Sequence, residues 1–87
     1  MSVMSSKSDR VQELDVTGLQ CPLPVLRAQR LLRRLPAGAE LLVRATDPVA
    51  KIDFPHYCQQ SGNSLVESIE SDGILTFRIR KTGKPQA

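Results

Sequence analysis

A cysteine followed by two prolines that flank one leucine, Cys21-Pro22-Leu23-Pro24, dictates where a helix can begin in this chain and what stands in front of it. Proline presets the backbone angle of a first helical position, and the N–H it lacks would have had no intrahelical partner there. Pro22 is therefore predicted to open a helix. The residue before a proline is pushed toward extended backbone, which keeps Cys21 out of the helix and leaves it at the cap. Serine, threonine, aspartate and asparagine are the usual caps, so a cysteine in that place points to chemistry rather than to capping. Its sulfur would lie at the positive end of the helix dipole. That field favours thiolate, and the thiol is expected to titrate below the usual value of about 8.5. Pro24 narrows the site further, because with Pro22 it leaves only the N–H groups of Leu23 and Val25 to solvate an anion in the first turn. Cys21 reads as a nucleophile or a carrier of anionic sulfur on a stiff support.

The chain has 87 residues, 40% of them apolar, enough for one small domain with a modest core. Met1 to Arg10 holds four serines and little apolar surface, and the chain ends in Lys-Thr-Gly-Lys-Pro-Gln-Ala. Residues 1–10 and 82–87 are expected to be flexible tails around a working domain of residues 11–81. No stretch has the apolar length of a signal peptide or of the roughly 20-residue membrane span, so a cytoplasmic protein without membrane attachment is expected. In that compartment Cys21 and Cys58 are expected to be free thiols. Cys21, His56 and Cys58 do not suggest zinc, since no paired Cys-x-x-Cys is present and a fourth ligand is lacking. No metal is expected.

Leu14 and Val16 alternate with Glu13 and Asp15, which predicts a first strand over 11–16, and Thr17-Gly18 then turns the chain toward the cysteine. The helix from Pro22 to about Leu35 is stopped by Pro36 and Gly38. Residues 40–45 are mostly apolar, as a strand inside a sheet should be. Asp47-Pro48 repeats the cap-then-proline signal and Asp53-Phe54-Pro55 repeats it again, which predicts a second helix interrupted or restarted near Pro55 and ending at Gly62. Residues 64–70 and 74–80 alternate apolar with polar around Asp72-Gly73, a hairpin signal. Strand-helix-strand-helix-strand-strand is best satisfied by an α/β (α+β) two-layer sandwich, with both helices on one face of a mixed four-stranded sheet and Leu75, Phe77 and Ile79 beneath them.

At 100° per residue, Pro24, Val25, Ala28, Leu31, Leu32 and Leu35 share the core side of the first helix. The opposite side carries Arg27, Arg30, Arg33 and Arg34 together with Leu23 and Leu26. Two leucines on a basic outward face beside a reactive cysteine suggest a docking surface. For the arginines alone an ordinary solvated face is the plainer reading, and for the two leucines scattered surface exposure is an equal alternative to docking.

In these residues the chain resembles the TusA/SirA-like family of small sulfur carriers. The resemblance runs from Leu14-Asp15-Val16-Thr17-Gly18-Leu19-Gln20-Cys21-Pro22-Leu23-Pro24 through Thr46-Asp47-Pro48 and Asp53-Phe54-Pro55 to Phe77-Arg78-Ile79-Arg80-Lys81. It implies a two-layer sandwich whose Cys21 accepts sulfane sulfur as a persulfide, with Gly18, Pro22 and Pro24 supporting the motif. It also implies a cysteine desulfurase or rhodanese-like donor and a sulfur-accepting protein, in tRNA thiolation, molybdenum cofactor maturation or sulfur oxidation. No cofactor is implied beyond the persulfide itself. The expected docking residues are Leu23, Leu26, Arg27, Arg30 and Arg34, with Asp47 and the second helix as the other candidate face, and the free protein is expected to be a monomer.

Two other classes fit parts of the sequence. A net charge of +3 and the arginines of the first helix and last strand would suit a small RNA-binding module, but only Phe54, Tyr57 and Phe77 are aromatic, too few for a stacking platform, so direct nucleic-acid binding is not expected. A thiol-based redox sensor would need Cys58 to approach Cys21 as a resolving thiol.

Overall fold

The structure, a computed structural model, describes residues 11–82. In chain order these form β1 (Val11–Val16), α1 (Leu23–Arg34), β2 (Glu40–Ala45), α2 (Ala50–Ser61), β3 (Ser64–Ser71) and β4 (Ile74–Arg80). The expected tails lie outside the described residues apart from Thr82, whose N–H donates to Asn63 Oδ1. The sheet order is β1-β2-β4-β3, with β1 parallel to β2 and the other two pairings antiparallel. A parallel pair needs a crossover, and α1 supplies it.

The two faces of the sheet follow from side-chain alternation. One face turns Val16, Leu41, Val43, Ala45, Leu75, Phe77 and Ile79 toward the helices, all of them buried. Ala28 and Leu32 of α1 and Ala50, Phe54, Tyr57 and Cys58 of α2 close over them. Phe54 stacks on Phe77 with ring centroids 4.6 Å apart, tying α2 to the middle of the sheet. The other face is open and carries ion pairs across the strands: Arg44 with Glu13, and Arg78 and Arg80 with Glu40.

The structure departs from the sequence expectations in three places. The first helix begins at Leu23, with Pro22 in the cap position and Cys21 one residue farther out. α2 runs unbroken through Pro55. The carbonyl that Pro55 leaves without a partner is that of Lys51, an exposed residue, and Pro55 is itself exposed, so water can satisfy what the helix cannot. β3 is not half-buried but an edge strand, exposed at every residue except the partly covered Leu65, and irregular in register between Leu65 and Glu67. A bulge and acidic side chains on an outer strand discourage further strand pairing. The hairpin itself is as expected: Asp72 and Gly73 both have positive φ, 52° and 79°, the signature of the two-residue turn that matches strand twist.

Lys81 fastens the end of the last strand to the far end of α1. Its Nζ donates to the carbonyls of Leu32 (2.6 Å) and Leu35 (3.2 Å), placing a cation where the helix leaves its last carbonyls unsatisfied.

Candidate functional site

Parallel pairing builds the site. Val16 and Ala45 end β1 and β2 opposite each other, so the loops that follow leave side by side at the carboxyl ends of the two strands. The first loop leads to Cys21 and α1, the second to Asp47 and α2. Such crevices are where open α/β sheets place their chemistry.

Gly18 makes the first loop possible. Its φ of +83° is a backbone conformation that other residues adopt only with strain, and a side chain there would meet nothing within 4 Å, so conformation rather than space calls for glycine. Its N–H donates to Thr46 Oγ1 at 2.8 Å, joining the two loops directly. Leu19 N–H returns to Val16 and Leu23 N–H to Gln20. A hollow of about 200 Å³ lies between the loops, lined by Gly18, Leu19, Gln20, Thr46, Asp47 and Pro48.

Asp47 bridges the loops a second time. Its Oδ2 accepts the Cys21 N–H at 2.6 Å, while Oδ1 accepts the N–H of Val49 at 3.2 Å and so opens the helical turn before α2. The helical turn expected at Asp47-Pro48 is present, just ahead of α2 and its cap at Val49, and the same carboxylate also fixes the backbone of Cys21. Asp53, on the first turn of α2, reaches the sulfur: Cys21 Sγ donates to Asp53 Oδ2 at 3.0 Å.

That contact overturns the expected thiol chemistry. The Cys21 thiol titrates above its ordinary value, because its hydrogen bond to Asp53 favours the neutral form, with burial of the sulfur's surroundings and the charges of Asp53 and Asp47 acting in the same direction. Nor does the first turn offer the two N–H groups expected of it. Leu23 N–H is taken by the Gln20 carbonyl and Leu26 N–H by that of Pro22, which leaves Val25 as the first-turn donor without a backbone acceptor among the described residues.

The outward face of α1 is as expected. Leu23 and Leu26 are 43% and 51% exposed, and Arg27, Arg30, Arg33 and Arg34 are all exposed. Leu23, Leu26, Arg27, Gln29, Arg30 and Arg33 line a shallow groove of about 370 Å³, with Arg34 outside it. The start of α2 adds two apolar side chains that sequence reasoning missed, Val49 at 42% and Ile52 at 70% exposure. In the sequence Asp53 signals a helix restart, and nothing there marks its contact with the sulfur. A carboxylate on a helix facing a cysteine on a loop 32 residues away leaves no local pattern.

Cys58 is a free thiol at 4% exposure, and Cys21 is a free, exposed one. A sensor needs the two to meet, and in this fold one is at the surface and the other in the core. Phe54, Tyr57 and Phe77 are all buried, so none is presented for stacking on bases.

Residues 12–81 match the family described as sulfurtransferase TusA. A sulfur carrier protein TusA from Allochromatium vinosum is 47% identical over 75 residues, covering 86% of this chain and 99% of its own. One from Pseudomonas putida is 43% identical over 68 residues, covering 78% of this chain and 85% of its own. Among solved structures, a SirA-like protein from Desulfitobacterium hafniense has the same fold, with a TM-score of 0.74 at 26% identity over 82% of this chain and 97% of the other.

Proposed function

The chain belongs to the TusA family of sulfur carriers, and we propose on that premise that it carries sulfur as a persulfide on Cys21, loaded by a cysteine desulfurase or rhodanese-like donor and unloaded by an acceptor protein. The observation that carries the reading is the placement of Cys21: an exposed thiol whose backbone is held by Asp47 and whose loop is fastened to its neighbour through Gly18 and Thr46. A relay needs a sulfur that two partners can reach in turn, on a support that holds it in line for attack.

In the loading step the Cys21 sulfur attacks the outer sulfur of the donor persulfide. A new S–S bond forms as the donor's own S–S bond breaks, its electron pair leaving on the donor cysteine. That sulfur takes up the proton that Cys21 gives away, so the exchange is neutral in both charge and oxidation state. Unloading runs the same way, with Cys21 as the leaving group.

Partners of acidic surface dock on the outward face of α1, steered by Arg27, Arg30 and Arg34 and held by Leu23 and Leu26 next to the thiol. Incubation with a desulfurase and cysteine should add one sulfur atom, about 32 Da, to the peptide containing Cys21. Addition to the Cys58 peptide instead would overturn the assignment. Trapping mixed disulfides with Cys21 identifies the acceptor and hence whether the sulfur goes to tRNA thiolation, molybdenum cofactor maturation or sulfur oxidation.

A further inference from the structure

We propose that Asp53 is a positioning residue that holds the empty carrier as a neutral thiol and turns the sulfur of the loaded carrier outward. The inference rests on the carrier reading above, and it adds a residue with a separate task. Asp53 Oδ2 lies 3.0 Å from Cys21 Sγ and accepts its hydrogen. The carboxylate stands on the first turn of α2 and is only partly exposed, in a helix anchored by buried Phe54 directly after it. The contact therefore ties the Cys21 loop to a rigid helix rather than joining two loose side chains.

The other charged group acting on the sulfur is Asp47 in the loop before α2, which spends its oxygens on the N–H groups of Cys21 and Val49. Among the described residues the sulfur's hydrogen bond is to Asp53, and no arginine of α1 bonds to it. The charges that act on the thiol are those of two carboxylates, Asp53 and Asp47. Such a setting penalises thiolate, the form that electrophiles and oxidants attack. An empty carrier is thereby kept from reacting with whatever it meets.

Loading reverses the effect of the same carboxylate. When the donor cysteine leaves, it takes up the proton that had been shared between Cys21 and Asp53. The new outer sulfur lies one S–S bond, about 2.05 Å, beyond Sγ, and a persulfide is more acidic than a thiol. Once ionised it is like-charged with Asp53 and is repelled toward solvent, where an acceptor arrives.

The test is the rate of Cys21 alkylation by iodoacetamide across pH in the full chain without any donor, with the modified site located by peptide mass. D53N should react about threefold faster or more near pH 7 and reach half its maximal rate at lower pH than the native protein. D53E, which keeps the charge, should stay near native, and D47N should shift less than D53N because it removes charge but not the acceptor of the S–H bond. A D53N profile that superposes on the native one overturns the proposal. So does a D47N shift as large as that of D53N, since a diffuse field would then suffice. Should D53N not fold, titration of thiolate absorbance in the native protein still decides: ionisation of Cys21 below about 8.5 refutes a holding role. These readings need no partner. A native protein that takes up no sulfur would sink the carrier function and leave them untouched.

Discussion

Cys21 and Cys58 are the same side chain in two settings, and both are held as thiols for different physical reasons. Cys58 sits inside α2 at 4% exposure, and burial alone pushes its thiol up to about 11. Cys21 is exposed, and its thiol is raised chiefly by one hydrogen bond to Asp53. Burial is a property of the whole fold and yields only when the fold opens. A hydrogen bond to one partly exposed carboxylate yields to any partner that covers or neutralises it. The reactive cysteine is thus the one whose restraint can be lifted locally.

The largest test of this contrast is removal of each sulfur in turn. Cys21→Ser should stay folded and abolish persulfide loading, whereas Cys58→Ser should load as the native protein does; a folded Cys58 variant that cannot be loaded would break the distinction. Next in size is Phe77→Ala, which removes a fully buried ring stacked on Phe54 and should cost about 3–5 kcal/mol by denaturant unfolding. It should make Cys58 open to alkylation while the rate at Cys21 stays put. A loss below about 1 kcal/mol would mean that the core around Cys58 is far more yielding than its packing indicates.

A smaller effect is expected at the docking face. Reversing Arg27 and Arg30 to glutamate should slow donor-dependent loading about tenfold at low salt, with native and variant converging at high salt and small-reagent alkylation of Cys21 nearly unchanged. Equal loading at low salt would move docking to Asp47 and the start of α2, where Val49 and Ile52 are exposed.

The smallest effect belongs to Cys58. Its ordinary value of 9.0 applies to the unfolded chain and about 11 to the folded one, so between these the unfolded state has lost a proton that the native state keeps. Stability is unaffected below this window and should fall as pH rises through it. Urea midpoints measured over that range should decline less steeply in Cys58→Ala than in the native protein, and parallel slopes would show that Cys58 does not titrate with unfolding.

Local chemistry made much of this legible in advance. Asp72-Gly73 specifies its turn through two positive φ values, and the alternation of Leu75, Phe77 and Ile79 specifies which side of β4 is buried, because both signals lie within a few neighbouring residues. Pro55 misled because proline forbids a hydrogen bond without forbidding a helix, provided the freed carbonyl faces water. The alternation in β3 misled because an edge strand can alternate without being covered. Cys21 was identified by its flanking prolines, but its protonation was not, since Asp53 reaches it from another element and no spacing along the chain encodes that approach.

The grip of Lys81 on the carbonyls of Leu32 and Leu35 makes the end of β4 and the last turn of α1 one cooperative unit. The same residue exchanges backbone bonds with Gly38 and Ala39, just ahead of β2, so detaching it frees a helix end and a strand end at once. Amide hydrogens there should exchange with a common opening free energy, set apart from those of the Cys21 loop. Fraying from the carboxyl terminus would then travel along α1 toward the sulfur, and the helix that presents the thiol is only as steady as the lysine that closes its opposite end.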